Sequence, residues 1–338
     1  MDAIVCSRPG ELQLIQADVP QPANHQALLK IHQVGICGTD LHAYEGTQPF
    51  FSYPRILGHE LAAELLQIPT GHGFAVGDLV TVKPYFHCGK CVACRQGKTN
   101  CCVHMQVYGV HVDGGMRNQV VLPISSLVAG KGLDLDQLTL VEPLAIGAHG
   151  VRRAGIQSGE YVLIVGAGPI GIGATFLAHA AGAHVILMDI NSEKLAHCRA
   201  MISGLTTIDA KDANVEQLLR DYTQGDMPNV IIDCTGSQKA INQAFHYLAH
   251  AGRFVLIGLQ QYPVTFGHPE FHKREATLMS SRNATKEDFD YVIRLLQQAI
   301  IPPTAFITHR IPHVQLPIVF DSLLNPTSNL IKATVNFT

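Results

Sequence analysis

The sequence is short of charge. Of its 338 residues only 15% are Asp, Glu, Lys or Arg, and the formal net charge is −3. A surface without a strong basic excess is a poor counterpart for nucleic acid, so no nucleic-acid partner is expected. The opening residues Met1-Asp2-Ala3-Ile4-Val5-Cys6 lack both the basic cluster and the long apolar run of an export signal, and a cytoplasmic setting is expected. No internal repeat or low-complexity linker is visible. Tyr161 to Met188 carries no formal charge and is long enough to cross a bilayer. Its glycines and Pro169 divide it instead into strand, tight turn, buried helix and second strand, so no membrane partner is expected.

Hydrophobic residues are abundant at 47%, enough for a sizeable core, and the length suits two domains. Residues 3–135 hold short strand-like runs broken by Gly and Pro, such as 27–32, 61–67, 79–83 and 119–122, which read as a largely β domain. From about residue 145 the pattern changes. Apolar strands at 161–165, 185–188, 230–234 and 253–257 alternate with helices at 169–181 and 192–201, the signature of βαβ units and a parallel sheet. An amphipathic helix is expected over 286–299. The simplest layout is a β-rich domain built from 1–145 and 286–338, with a doubly wound α/β domain, 146–285, inserted in it.

Gly166-Ala167-Gly168-Pro169-Ile170-Gly171 has the form G-x-G-x-x-G, follows a strand and opens a helix. In that context Gly166 permits the tight turn, Gly168 lets a pyrophosphate approach the backbone, and Gly171 lets the helix pack on the strand. Pro169 and Ile170 complete the turn, and the helix start offers its free N–H groups, of which proline has none, to the phosphates. Asp189 ends the second strand, where a carboxylate accepts from both adenosine ribose hydroxyls and repels a 2′-phosphate. NAD is therefore expected over NADP.

Five of the nine cysteines lie between Cys88 and Cys102. Without an export signal, such a cluster binds metal more readily than it forms disulfides. Cys88, Cys91 and Cys94, with Cys101 or Cys102 as the fourth, satisfy a closed tetrahedral zinc shell of structural type. Cys6, Cys198 and Cys234 read as buried small hydrophobes. Elsewhere, Gly35-Ile36-Cys37-Gly38-Thr39-Asp40-Leu41-His42, Gly58-His59-Glu60 and Val141-Glu142-Pro143 together offer the ligand types of an open zinc site.

These motifs, in this order with the four-cysteine lobe and the Gly-rich turn, resemble the zinc-containing medium-chain dehydrogenase family over essentially the whole chain. Glu142 stands where liver-type alcohol dehydrogenases carry a cysteine, which is similar to the sorbitol and threonine dehydrogenase branch. The segments 48–55 and 271–285 are similar to bacterial sugar-acid dehydrogenases of that branch. The resemblance implies a GroES-like catalytic domain, an inserted Rossmann domain, two zinc ions and NAD, and a homo-dimer or homo-tetramer. It implies Cys37 and His59 as catalytic zinc ligands, Glu60 and Glu142 as ligands directly or through water, and Cys102 as the fourth structural ligand. Thr39 and His42 become the two ends of a proton relay with the nicotinamide ribose between them. Asp40 is expected to accept the spare N–H of His59. The implied activity is NAD-dependent oxidation of a secondary alcohol on a small polyol or sugar acid, L-galactonate to its 5-keto acid, with Arg282 and Lys273 as candidate cations for the acid group. Threonine or sorbitol oxidation is the enzymatic alternative. An NAD- and zinc-binding regulator is the non-enzymatic one.

Overall fold

A computed structural model describes residues 1–48, 51–325 and 328–337. Pro49 and Phe50, in the 48–55 segment noted above, lie outside the described residues. The chain forms two compact units, Met1–Glu142 with Thr285–Thr338, and Pro143–Ala284. The first division falls inside the helix Leu135–Ala154, between Glu142 and Pro143.

The first unit is organised by one long strand, Gln26–Ile36, which pairs with Glu60–Gln67, Gln119–Pro123 and Lys332–Asn336. The last of these comes from the other end of the chain, with Thr334 opposite Gly35 and Ala333 opposite Ile36. The strand is longer than its apolar pattern predicts because it buries polar Gln33, whose amide donates to Asp136 Oδ1 at 3.0 Å. Arg310 clasps the same carboxylate through both terminal nitrogens, at 2.7 and 2.5 Å. Leu29, Ile31, Leu61, Leu65, Phe320 and Phe337 lie in the core of this unit.

The second unit is a six-stranded, all-parallel sheet. In chain order its strands are Tyr161–Val165, His184–Asp189, Thr206–Asp209, Val230–Asp233, Arg253–Leu256 and Thr277–Ser280. Their spatial order is third, second, first, fourth, fifth, sixth. The order reverses beside the first strand, and ligands of such sheets bind at that switch point, outside the strands' carboxyl ends. Val162, Leu163 and Ile164 are fully buried, as the near-continuous apolar runs of parallel strands require. The uncharged stretch from Tyr161 resolves into strand, helix Pro169–Ala180 and strand. No helix among the described residues is long and apolar enough to cross a membrane.

The helix Lys286–Gln297 is capped by Thr285, whose N–H and hydroxyl both reach Asp288 Oδ2, at 2.8 and 2.9 Å. It stops short of 299 because Ala299 turns to a left-handed φ of 55°.

Candidate metal and dinucleotide sites

Cys37 ends the long strand's run and caps the helix Gly38–Glu45. Asp40, at the third position of that helix, accepts the Cys37 N–H at 2.8 Å, which fixes where the thiol emerges. Its other oxygen accepts the Gly58 N–H at 3.2 Å. Asp40 is therefore engaged by backbone and does not accept from His59, contrary to expectation. Its place in the helix's first turn commits one oxygen to the cap, and the second is drawn to the Gly58 turn. His59 Nδ1 is buried with no hydrogen-bond partner among the described residues.

Next to His59, Glu60 begins the strand Glu60–Gln67 directly opposite Gly35. A Cβ at position 35 would stand 2.0 Å from Glu60 Oε2, so glycine makes the room for this carboxylate. Cys37, His59 and Glu60 offer ligand atoms that all lie within 4.8 Å of one another. Glu142 is buried and near enough for its charge to reach His59, but it is not one of that group. Its Oε1 accepts the Tyr85 hydroxyl. Burial works against a charged imidazole, yet the charges of Cys37, Asp40 and Glu142 outweigh it and hold His59 well above the usual histidine range. Burial, with Glu60's charge, pushes the Glu142 carboxyl upward, and burial followed by Glu142's charge pushes the Tyr85 hydroxyl far up, so Tyr85 is the donor. A pocket this rich in negative charge, with an imidazole nitrogen unspent, has the donor chemistry of a cation site.

Two members of the cluster were not singled out by sequence. Lys332 Nζ sits 2.6 and 2.7 Å from the two Glu60 oxygens and 3.1 Å from Ile36 O. Its signal was a lone charge inside the strand-like run 331–335, at a position that is buried. Tyr85 sits between Pro84 and Phe86, and nothing local tied it to Glu142. Thr39 is half-buried on the helix next to Cys37. His42, 62% exposed, meets solvent and lies 3.3 Å from both Glu45 Oε2 and Thr47 Oγ1.

Cys88, Cys91, Cys94 and Cys102 form the second group with ligand atoms inside 4.8 Å, while Cys101 is exposed. Backbone N–H groups of Cys94 and Val103 draw the Cys91 thiol down to about 6, close to the thiolate a metal takes. Cys6 and Cys198 are buried, Cys234 only partly.

In the second unit, Gly166 turns with φ 105° at the end of Tyr161–Val165, and Gly168 caps the helix Pro169–Ala180 with Pro169 at its first position. A Cβ on Gly171 would fall 1.7 Å from Gly166 O, whereas one on Gly168 would meet nothing within 4 Å. The first glycine closes the turn; the second keeps space free above it. Asp189 accepts the Ala167 N–H at 2.5 Å and the Asn191 N–H at 2.7 Å, so it braces the turn from the neighbouring strand. Lys273 is exposed and 4.0 Å from Glu270, and Arg282 is exposed after the edge strand Thr277–Ser280.

The model of the alcohol dehydrogenase GroES-like domain matches residues 23–131, and that of the zinc-binding dehydrogenases matches residues 169–298. An L-galactonate-5-dehydrogenase of Escherichia coli strain K12 is 41% identical, with 100% of this chain and 99% of that protein covered. An L-threonine 3-dehydrogenase of Pyrococcus horikoshii is 33% identical, covering 92% and 91%. Among solved structures, a short chain alcohol dehydrogenase from E. coli CFT073 complexed with cofactor NADH is 27% identical. It superposes with a TM-score of 0.92 over 100% of this chain and 99% of that one.

Proposed function

The chain belongs to the zinc-type alcohol dehydrogenase family, and from that premise we propose that it oxidises a secondary hydroxyl of a sugar acid or polyol, L-galactonate to its 5-keto acid foremost, with NAD taking the hydride. The observation that carries this reading is the full-length 41% identity to the E. coli L-galactonate enzyme. It is supported by a pocket that sets two carboxylates, Glu60 among the ligand atoms and Glu142 beside them, against one thiolate, since oxygen donors harden a metal site and suit it to hydroxyl-rich substrates.

Cys37, His59 and Glu60 would hold the catalytic zinc, with Glu142 beside them. Cys88, Cys91, Cys94 and Cys102 would hold a structural one. When bound, the catalytic zinc supplies a Lewis acid that acidifies the alcohol, and the dinucleotide supplies the hydride acceptor. The remaining work belongs to the chain. Gly168 and the helix start at Pro169, Ile170 and Gly171 seat the pyrophosphate, and Asp189 takes the ribose hydroxyls. Thr39 Oγ1 would accept the proton of the substrate hydroxyl while giving up its own hydroxyl proton to the relay, and His42, at the relay's solvent end, would pass a proton to water. Arg282 and Lys273 are the cations proposed for the acid group. The nine cysteines, free in the structure, suit a reducing cytoplasm.

Purified protein offered L-galactonate, other aldonates, hexitols and L-threonine, each with NAD and with NADP, tests the proposal through the reduced cofactor's absorbance. L-Galactonate with NAD is expected to give the highest kcat/KM. Preference for L-threonine would favour the second reading, which the Pyrococcus relative supports. No turnover of any of these would overturn the proposal.

A further inference from the structure

We propose that Tyr85 is a positioning residue that keeps Glu142 out of the catalytic metal's coordination shell, and so leaves open the place a substrate hydroxyl must take. The inference rests on reading Cys37, His59 and Glu60 as a zinc site. The two acids of this pocket are held in different ways. Glu60 lies over Gly35, tied to Lys332, and still reaches to within 4.8 Å of the Cys37 and His59 ligand atoms. Glu142 does not join that group. What distinguishes it is the Tyr85 hydroxyl on Oε1, with Tyr85 9% and Glu142 3% exposed.

A buried carboxylate keeps whichever strong partner it has, because a bare one is costly. A hydroxyl donating to a carboxylate is charge-assisted and directional. Remove it, and the cation becomes a strong partner open to Glu142. Cys37, His59, Glu60 and Glu142 would then be four protein donors, the closed arrangement of a structural site rather than the three-donor arrangement of a catalytic one. Tyr85 thus decides between an open and a closed ion with the same set of ligand residues.

The test uses full-length protein with cobalt in place of the catalytic zinc, and azide as the probe of the open place. Wild type is expected to show a shift of the cobalt visible bands on azide addition. In Tyr85→Phe the azide affinity should fall about tenfold or more, and zinc should be held longer against a chelator. Adding Glu142→Gln to that variant should restore azide binding to within about twofold of wild type. Glu142→Gln alone, which needs no stable Tyr85 variant, should likewise bind azide as wild type does. Azide binding in Tyr85→Phe equal to wild type would overturn the proposal. So would Glu142→Gln binding azide about tenfold more tightly than wild type, because Glu142 would then already occupy the place. A wild-type protein that takes up no cobalt beyond the four-cysteine lobe would instead sink the underlying zinc reading, and the proposal with it.

Discussion

Lys332 and Glu60 are both buried, and the ammonium's donors go to the two carboxylate oxygens and to Ile36 O. Such a pair gains little over apolar packing, but losing one partner strands the other's charge. Lys332→Met is therefore expected to cost about 3–5 kcal/mol in urea unfolding, with Lys332→Arg retaining most of the stability. An unchanged midpoint in Lys332→Met would show that the pair is not the tie described. At the proposed relay, Thr39→Val should lower kcat by roughly 10²–10⁴-fold with L-galactonate while leaving the binding of NAD unchanged, as loss of a proton-transfer group requires. Much of this residue-scale picture was legible. Cys37, His59, Glu60, Cys88, Cys91 and Cys94 are marked by residue type and order, Cys102 over Cys101 only by the family resemblance, and the geometry gathers them all. Lys332 and Tyr85 were not legible because each acts on a residue far away in sequence. The expected Asp40–His59 bond was misjudged for the opposite reason: a local demand, the helix cap at Cys37, took the carboxylate first.

The Gly-rich turn separates two roles that its motif merges. Gly168 has open space where a Cβ would go, and Gly171 does not. Gly168→Ala is thus expected to leave the melting temperature nearly unchanged and to weaken NAD binding about tenfold. Gly171→Ala should lower the melting temperature itself, because a Cβ cannot coexist with Gly166 O. Equal melting temperatures for the two variants would contradict this division. The parallel strands were readable because strands buried on both faces are apolar throughout. The long strand Gln26–Ile36 was read short because Gln33 breaks its pattern, and only Asp136 and Arg310 explain that burial. The Arg310 hydrogen bond, chiefly, holds the Asp136 carboxyl below its ordinary range. Its stabilisation is therefore present above the ordinary carboxylate pKa and is lost as pH falls through the lowered one. Asp136→Asn should remove up to about 1 kcal/mol, this pair being partly solvent-screened, and should flatten the acid limb of the stability curve.

The whole chain divides the chemistry between its units: the proposed metal sites lie in Met1–Glu142 with Thr285–Thr338, and the proposed dinucleotide turn in Pro143–Ala284. Two units with metal in one of them need not melt in a single step. About two zinc ions per chain are expected, one in a closed and one in an open site. Cys37→Ser should lose the second without losing the first. Whether the protein is a zinc-dependent dehydrogenase of a sugar acid is decided by NADH formation from L-galactonate measured before chelator treatment, after it, and after zinc is returned. Turnover is expected to be lost with the metal and regained with zinc. Turnover that persists after the chelator has removed the zinc would contradict it, as would none from the zinc-loaded protein.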